Sequence, residues 1–172
     1  MPDEKTALDL ALEARAAEKE AGETADERSR SVLFFELGGG AFAIEGEFVK
    51  GVLPMSEPFF VPGCPPSLEG VILHQGEVES VIDISGTIGR PATARDTSRS
   101  ILIGQTATMR SGIRVDRVVD VAEILESAIA PAPPAVRDSL RETCSRVVER
   151  AGIIVPILDL PVVFSAWERA KA

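Results

Sequence analysis

The hydrophobic positions of the chain fall into two textures that change near Ser31. Over residues 3–30 the apolar side chains are mostly alanine and β-branched runs are absent. Leu8 and Leu12 stand four apart, with Lys5 and Asp9 at the same spacing, a pattern that predicts a helix-prone start. The apolar stripe fades after Ala17, and a helix with one short stripe is marginal alone, because nucleation is costly and packing normally supplies the stability. Residues 1–30 therefore read as a charged appendage, helical or disordered. Two uses stay open: a frayed helix that docks weakly or not at all, and a helix that binds a partner.

From Ser31 the pattern is β. "VLFFELGGGAFAIEG" is two short apolar runs around Gly38, Gly39 and Gly40, which supply the positive φ that a tight reversal needs and predict a hairpin. "FVKGVLPM" continues the β texture, and "PFFVPGCPPSLEG" predicts a proline-rich crossing. A strand over Val71–Leu73, a turn at Gln75-Gly76 and a strand over Val78–Ile84 follow. "SRSILIG" and "SGIRVDRVVDVAEI" predict a further pair with its turn near Arg110, Ser111 and Gly112. After the extended "IAPAPPAV", "RDSLRETCSRVVERAGIIVPILDL" reads as a polar stretch and a last strand, and a short helix over Pro161–Trp167 ends the fold. "VESVIDISGTIG" and "IIVPILDLPVVF" echo one another, each setting a carboxylate, Asp83 or Asp159, among aliphatic residues. The echo predicts two similar β-lobes, as barrels or a sandwich.

Composition narrows the function classes. The 172 residues suit one domain or two small lobes sharing a core. Aromatics are only 5%, with no tyrosine and one tryptophan, so the core must be aliphatic. A net charge of −9 repels phosphate backbones and anionic membrane surfaces, which makes nucleic acid an unlikely partner class. No stretch approaches the roughly 18 apolar residues of a span and the N-terminus lacks a signal-peptide pattern, so no membrane insertion and a cytoplasmic location are expected. Cys64 and Cys144 are far apart and read as small buried hydrophobes.

Candidate chemistry is sparse. His74 is the only histidine; Glu77 and Glu79 follow it, and Asp83, Asp116 and Asp159 sit within aliphatic strands. No serine or cysteine occupies a nucleophile context, one histidine and two isolated cysteines cannot build a zinc site, and the carboxylates lack calcium-loop spacing. The expectation is no catalytic residue, no metal and no cofactor. The three aspartates read as structural acceptors of backbone N–H groups, and His74 as either a contact residue or an ordinary turn residue.

The ordered series "FFELGGGAFAI", "FVKGV", "EGVI", "QGEVESVIDI", "GIRVDRVVDV", "IAPAP" and "IVPILDL" resembles the chemotaxis coupling protein family CheW, from about Ser31 to Phe164. The resemblance implies two five-stranded, SH3-like β-barrel lobes around a shared interior, over residues 31–168. It implies a non-enzymatic adaptor that binds the regulatory domain of a CheA-type histidine kinase and the cytoplasmic tip of chemoreceptors. The family stretch usually reads like G-V-I-N-L-R-G, so Leu73, His74 and Gln75 replace Asn, Leu and Arg, Ser80 replaces Pro, and Gly51 stands where glutamate is usual. By the same resemblance, partner contacts fall to Val49, Gly51, Val52, Ile72, His74, Gln75, Glu77 and Val81, on exposed β edges and an apolar groove between the lobes. The missing arginine and glutamate imply a divergent member with weakened receptor coupling. A regulatory protein that binds a small ligand or another signalling enzyme is the alternative.

Overall fold

Three two-residue reversals set the strand pairing. In the computed structural model, which describes residues 28–54, 56–91 and 99–171, Gly38–Gly39, Gln75–Gly76 and Ala151–Gly152 all take φ values from +50° to +85°. Such paired left-handed residues make the turn whose twist matches a hairpin. They join β1 (Ser29–Leu37) to β2 (Gly40–Glu45), β4 (Leu68–His74) to β5 (Glu77–Ile82), and β10 (Cys144–Arg150) to β11 (Ile153–Leu158). The remaining strands are β3 (Val49–Leu53), β6 (Ser100–Gln105), β7 (Arg110–Val115), β8 (Arg117–Leu125) and β9 (Ile129–Pro131). Among the described residues the helices are α1 (Pro134–Ser139) and α2 (Leu160–Lys171).

The strands form two sheets of like construction, ordered β8-β1-β2-β11-β10-β9 and β3-β6-β7-β5-β4. In each, a hairpin is joined in parallel to the second strand of another hairpin: β2 to β11 at Ala43↔Ile157, and β7 to β5 at Ile113↔Ile82. Each sheet is then completed by a strand from the other half of the chain. β3 follows β2 but pairs with β6, and β8 follows β7 but pairs with β1. This is the mainly β, two-lobe architecture expected from the sequence, with the short C-terminal helix. The first sheet has a sixth strand because the chain turns through Glu126–Ala128 and adds β9 beside β10.

The echo between Asp83 and Asp159 has a structural counterpart. Both follow the parallel-joined strand, and their backbone N–H groups donate to Ser67 O (2.8 Å) and Thr143 O (2.9 Å). The Asp83 carboxylate accepts the Ser85 N–H (2.8 Å), that of Asp159 the Val162 N–H (3.3 Å) in the first turn of α2, and that of Asp116 the Gly38 N–H (2.7 Å).

Burial explains the unbroken apolar runs. Along β1, Val32 and Phe34 point into the first lobe with Val155 and Ile157, whereas Leu33, Phe35 and Leu37 face the second lobe. Along β6, Ile101 and Ile103 fill the second lobe with Ile72 and Val81, while Leu102 joins the shared core. That core also takes Ile82, Ile113, Leu158, Phe164 and Trp167. Strands buried on both faces lose the alternation of a half-exposed strand.

Charge is buried at one end of the second lobe. Glu69 lies 3.4 Å from both Arg99 and Arg114, Arg99 is 3.2 Å from Asp116, and Arg114 also donates to the Ser56 carbonyl. Burial lowers the Arg114 pKa, against the opposing pull of Glu69.

Four expectations need correction. The β6–β7 turn lies at Thr106–Met109, with Arg110, Ser111 and Gly112 inside β7. The segment "CSRVVER", read as part of a polar stretch, is β10. Residues 134–139 form α1. Cys144 is buried, and burial pushes its thiol pKa up, but Cys64 is only half-buried. The predicted N-terminal helix lies outside the described residues.

β1 begins at Ser29, and Arg28 O accepts the Glu126 N–H (2.9 Å). Removal of residues 1–27 is expected to leave cooperative urea unfolding intact. Removal through Arg30, which takes one partner from buried Glu45, should cost about 1–3 kcal/mol. Glu69→Gln should cost about 3–5 kcal/mol in the same measurement, because it strips a shared counter-charge from two buried arginines.

Candidate partner-binding surface

β3 and β4 are the two edge strands of the second sheet, and the sheet curls until they meet. A Cβ built on Gly51 of β3 would lie 3.2 Å from His74 Nε2 of β4. The β4–β5 register sets His74 opposite Glu77 and Ile72 opposite Glu79, so His74 and Glu79 share the inward face with Ile72 and Val81. Glu79 is buried and pairs with Arg110 Nε (2.6 Å), whose Nη1 is 3.5 Å from Glu77. The mouth of this lobe is therefore a ring of Gly51, His74, Glu77, Glu79 and Arg110. His74 Nε2 is sequestered there without a hydrogen-bond partner among the described residues.

The eight residues expected at contacts divide by the strand period. Val52, Gln75 and Glu77 are exposed, and half-buried Gly51 and His74 line the mouth. Val49 packs against the shared core. Ile72 and Val81 are corrected: both are buried in the second lobe, Val81 completely. They sit on the inward side of β4 and β5, so they can shape the surface but not touch a partner.

Sequence reasoning missed Arg110, hidden because it was placed in a turn, and the exposed apolar residues Phe59, Phe60, Leu73 and Val78. Leu73 and Val78 were detectable from alternation, since each is out of phase with an inward neighbour. In the first lobe, Val119, Ile153 and Phe34 line an apolar cleft of about 180 Å³ with Arg150. The Arg150 guanidinium lies 4.3 Å over the Phe34 ring and hydrogen-bonds Asp120, which holds that carboxyl below the usual carboxylate range. The space between the lobes is occupied by the shared core. Among the described residues no group of three or more His, Cys, Asp or Glu could hold a metal ion, and no helix is long and apolar enough to cross a membrane.

Gly51 has no left-handed φ, so glutamate is admissible to the backbone, and the obstacle is the His74 ring. Gly51→Glu should destabilise the protein, and the loss should shrink in a His74→Ala background. A double-mutant cycle in urea should give a coupling of at least ~0.5 kcal/mol. Zero coupling would mean that the two side chains do not compete for this space.

Comparison with known proteins places this geometry. The chain is 25% identical to the chemotaxis protein CheW of Rhizobium meliloti over 143 residues, covering 83% of this chain and 92% of that protein. It is 28% identical to the Bacillus subtilis chemotaxis protein CheW over 128 residues, covering 74% and 82%. The crystal structure of the scaffolding protein CheW from Thermoanaerobacter tengcongensis superposes with a TM-score of 0.69 at 23% identity, covering 80% of this chain and 93% of that one. The family model described as the CheW-like domain matches residues 31–168, so the chain belongs to the CheW family.

Proposed function

We propose that this protein is a non-enzymatic adaptor that couples chemoreceptors to a CheA-type histidine kinase, with the second-lobe mouth as a contact surface. The carrying observation is the continuous CheW-like match over both lobes, including the swapped strands β3 and β8. A rigid β frame that displays strand ends and hairpin tips suits binding, since it holds recognition groups without ordering them on contact. The location we infer is the cytoplasm, where such receptor tips and kinases meet. In this reading the N-terminal appendage is separate from the domain only up to residue 27, since Ser29 and Arg30 already belong to β1.

At the mouth, Gly51 and Gln75 leave no charge where the family resemblance sets glutamate and arginine. Gln cannot reproduce an arginine fork, and Arg110 is already engaged by Glu77 and Glu79. The alternative small-ligand reading has open clefts among the described residues of about 180 Å³ on the first lobe, about 230 Å³ lined by Arg30, Glu126 and Arg146, and about 310 Å³ beside Trp167 and Asp83. These volumes lie at or below the low end of the ~300–1,000 Å³ usual for small-molecule sites.

Titration against a CheA-type regulatory domain should give a dissociation constant of micromolar or tighter. A receptor-tip fragment from a standard chemotaxis system should bind wild type weakly, and Gly51→Glu with Gln75→Arg should tighten it at least ~10-fold, since lost interface charge pairs cost ~2–5 kcal/mol. Because a glutamate side chain at position 51 meets the His74 ring, the variant's folding is checked first. Tight, equal receptor binding by both proteins sinks the divergent-adaptor reading, and absent kinase binding sinks the adaptor reading as a whole.

A further inference from the structure

The face of the β4–β5 hairpin opposite the lobe interior is apolar where it should be wet. Ile72 and Glu79 point inward, so their neighbours Val71, Leu73 and Val78 point out, with Leu73 directly across from Val78. Phe59 adds to this row. It bridges Val71 through two backbone hydrogen bonds, Phe59 N to Val71 O (2.7 Å) and Val71 N to Phe59 O (2.9 Å). Directly opposed residues share a face, so Phe59, Val71, Leu73 and Val78 form one stripe across three extended segments.

The crossing is held in place by Gly70. Its φ is +151°, and a Cβ there would collide with the Phe59 carbonyl oxygen, so only glycine lets the crossing lie this close to β4. The stripe is thus a fixed surface. Phe59 is 73% exposed, Leu73 67% and Val78 70%. These three side chains amount to roughly 400 Å², within the size range of the largest patches on monomers, which are often functional. That is short of the ~800 Å² per partner of a standard interface between two folded proteins.

Charge selects the occupant. Glu57 stands two residues before Phe59 and is exposed. Glu77 adjoins Val78 at the rim, on the mouth side of β5, where Arg110 faces two carboxylates, Glu77 and Glu79, and leaves an excess of negative charge. A second copy of this chain would bring the same carboxylates and the same −9 charge against them. The chain's own residues 3–30 are also predominantly acidic. A helix about 10 Å across matches the width of three adjacent strands spaced ~4.8 Å, and apolar anchors spaced i, i+4, i+7 suit such a stripe.

We propose that this outer face, Phe59–Val71–Leu73–Val78 flanked by Glu57 and Glu77, docks a basic amphipathic helix. The site goes beyond the adaptor reading: its apolar stripe lies on the other face of the hairpin from the mouth, it shares only the rim residue Glu77 with it, and it does not need the kinase.

The test uses three labelled peptides with the full-length protein, read by fluorescence anisotropy. The first is a 14-residue helical peptide with a leucine ridge flanked by lysines, the second replaces the lysines by glutamates, and the third carries residues 3–20 of this chain. The lysine peptide is expected to bind, to weaken at least ~5-fold between 50 and 300 mM salt, and to weaken at least ~10-fold when Leu73→Asn and Val78→Thr are combined. Glu57→Lys should weaken it as well. The proposal is overturned by equal binding of the first two peptides, by preference for the third, or by indifference to Leu73→Asn with Val78→Thr. It is also overturned if sedimentation shows a dimer that those two substitutions abolish. Titration of the same variants with the kinase regulatory domain separates the readings, because peptide binding without kinase binding overturns the adaptor function alone.

Discussion

The exchange of β3 and β8 between the two sheets is the constraint on which the molecule depends. Neither sheet can be completed by its own stretch of chain, because the strand after each hairpin leaves to flank the other. The hairpins must then lie back to back, which buries β1, β2, β6 and β7 on both sides and creates the shared core that Leu33, Phe35, Phe42, Leu102 and Ile113 fill. A lobe released from its neighbour would expose this face and lose an edge strand at once. Folding is accordingly one cooperative event rather than two, in keeping with the high sequence separation of the exchanged pairs.

The exchange also fixes what the surface can display. With core on both faces of the central strands, variation is confined to edge strands, hairpin tips and the proline-rich crossing. The second-lobe mouth lies where the two edge strands meet, and its polar ring surrounds a small apolar interior of Ile72, Val81, Ile101 and Ile103. Glu79 can be buried there because Arg110 reaches it from the neighbouring β7, and an unpaired carboxylate at that depth would be costly.

Elements marked by local chemistry were readable in the sequence. The Gly38–Gly39 and Gln75–Gly76 turns, and the paired echo of Asp83 and Asp159, follow from backbone preferences that act within a few residues. What escaped depends on distant partners. Gly112 looked like a turn residue, yet it is a strand glycine whose added Cβ would lie 2.8 Å from Ile101 Cγ2 and 3.1 Å from Ser80 O, so the space and not the angle requires it. The real turn, Thr106–Met109, has no glycine or proline and is closed by the Thr106 hydroxyl, which accepts the Met109 N–H (3.1 Å). β10 hid because Arg146 and Glu149 interrupt its apolar residues, although Val147 and Val148 face two different cores. At the site, positions 51, 74 and 75 are legible as departures from a pattern, but the side each residue faces is not, so the pattern alone does not separate inward Ile72 and Val81 from the exposed rim.

The departures at Gly51 and His74 are one change in two places. Glutamate at 51 and a ring at 74 would contend for the same volume, since the ring already stands 3.2 Å from where Cβ would begin. With glycine at 51 the ring closes the seam between β3 and β4, covers the strand where a side chain would have projected, and hides its own Nε2. Packing thus occupies position 51, where the family resemblance sets a charge, and Leu73, where the resemblance sets a polar residue, adds apolar character on the other face of β4. A surface rebuilt in this way can keep the frame, because the strand exchange and the shared core involve none of these three side chains. Recognition can diverge at the rim of this fold without any compensating change in its interior.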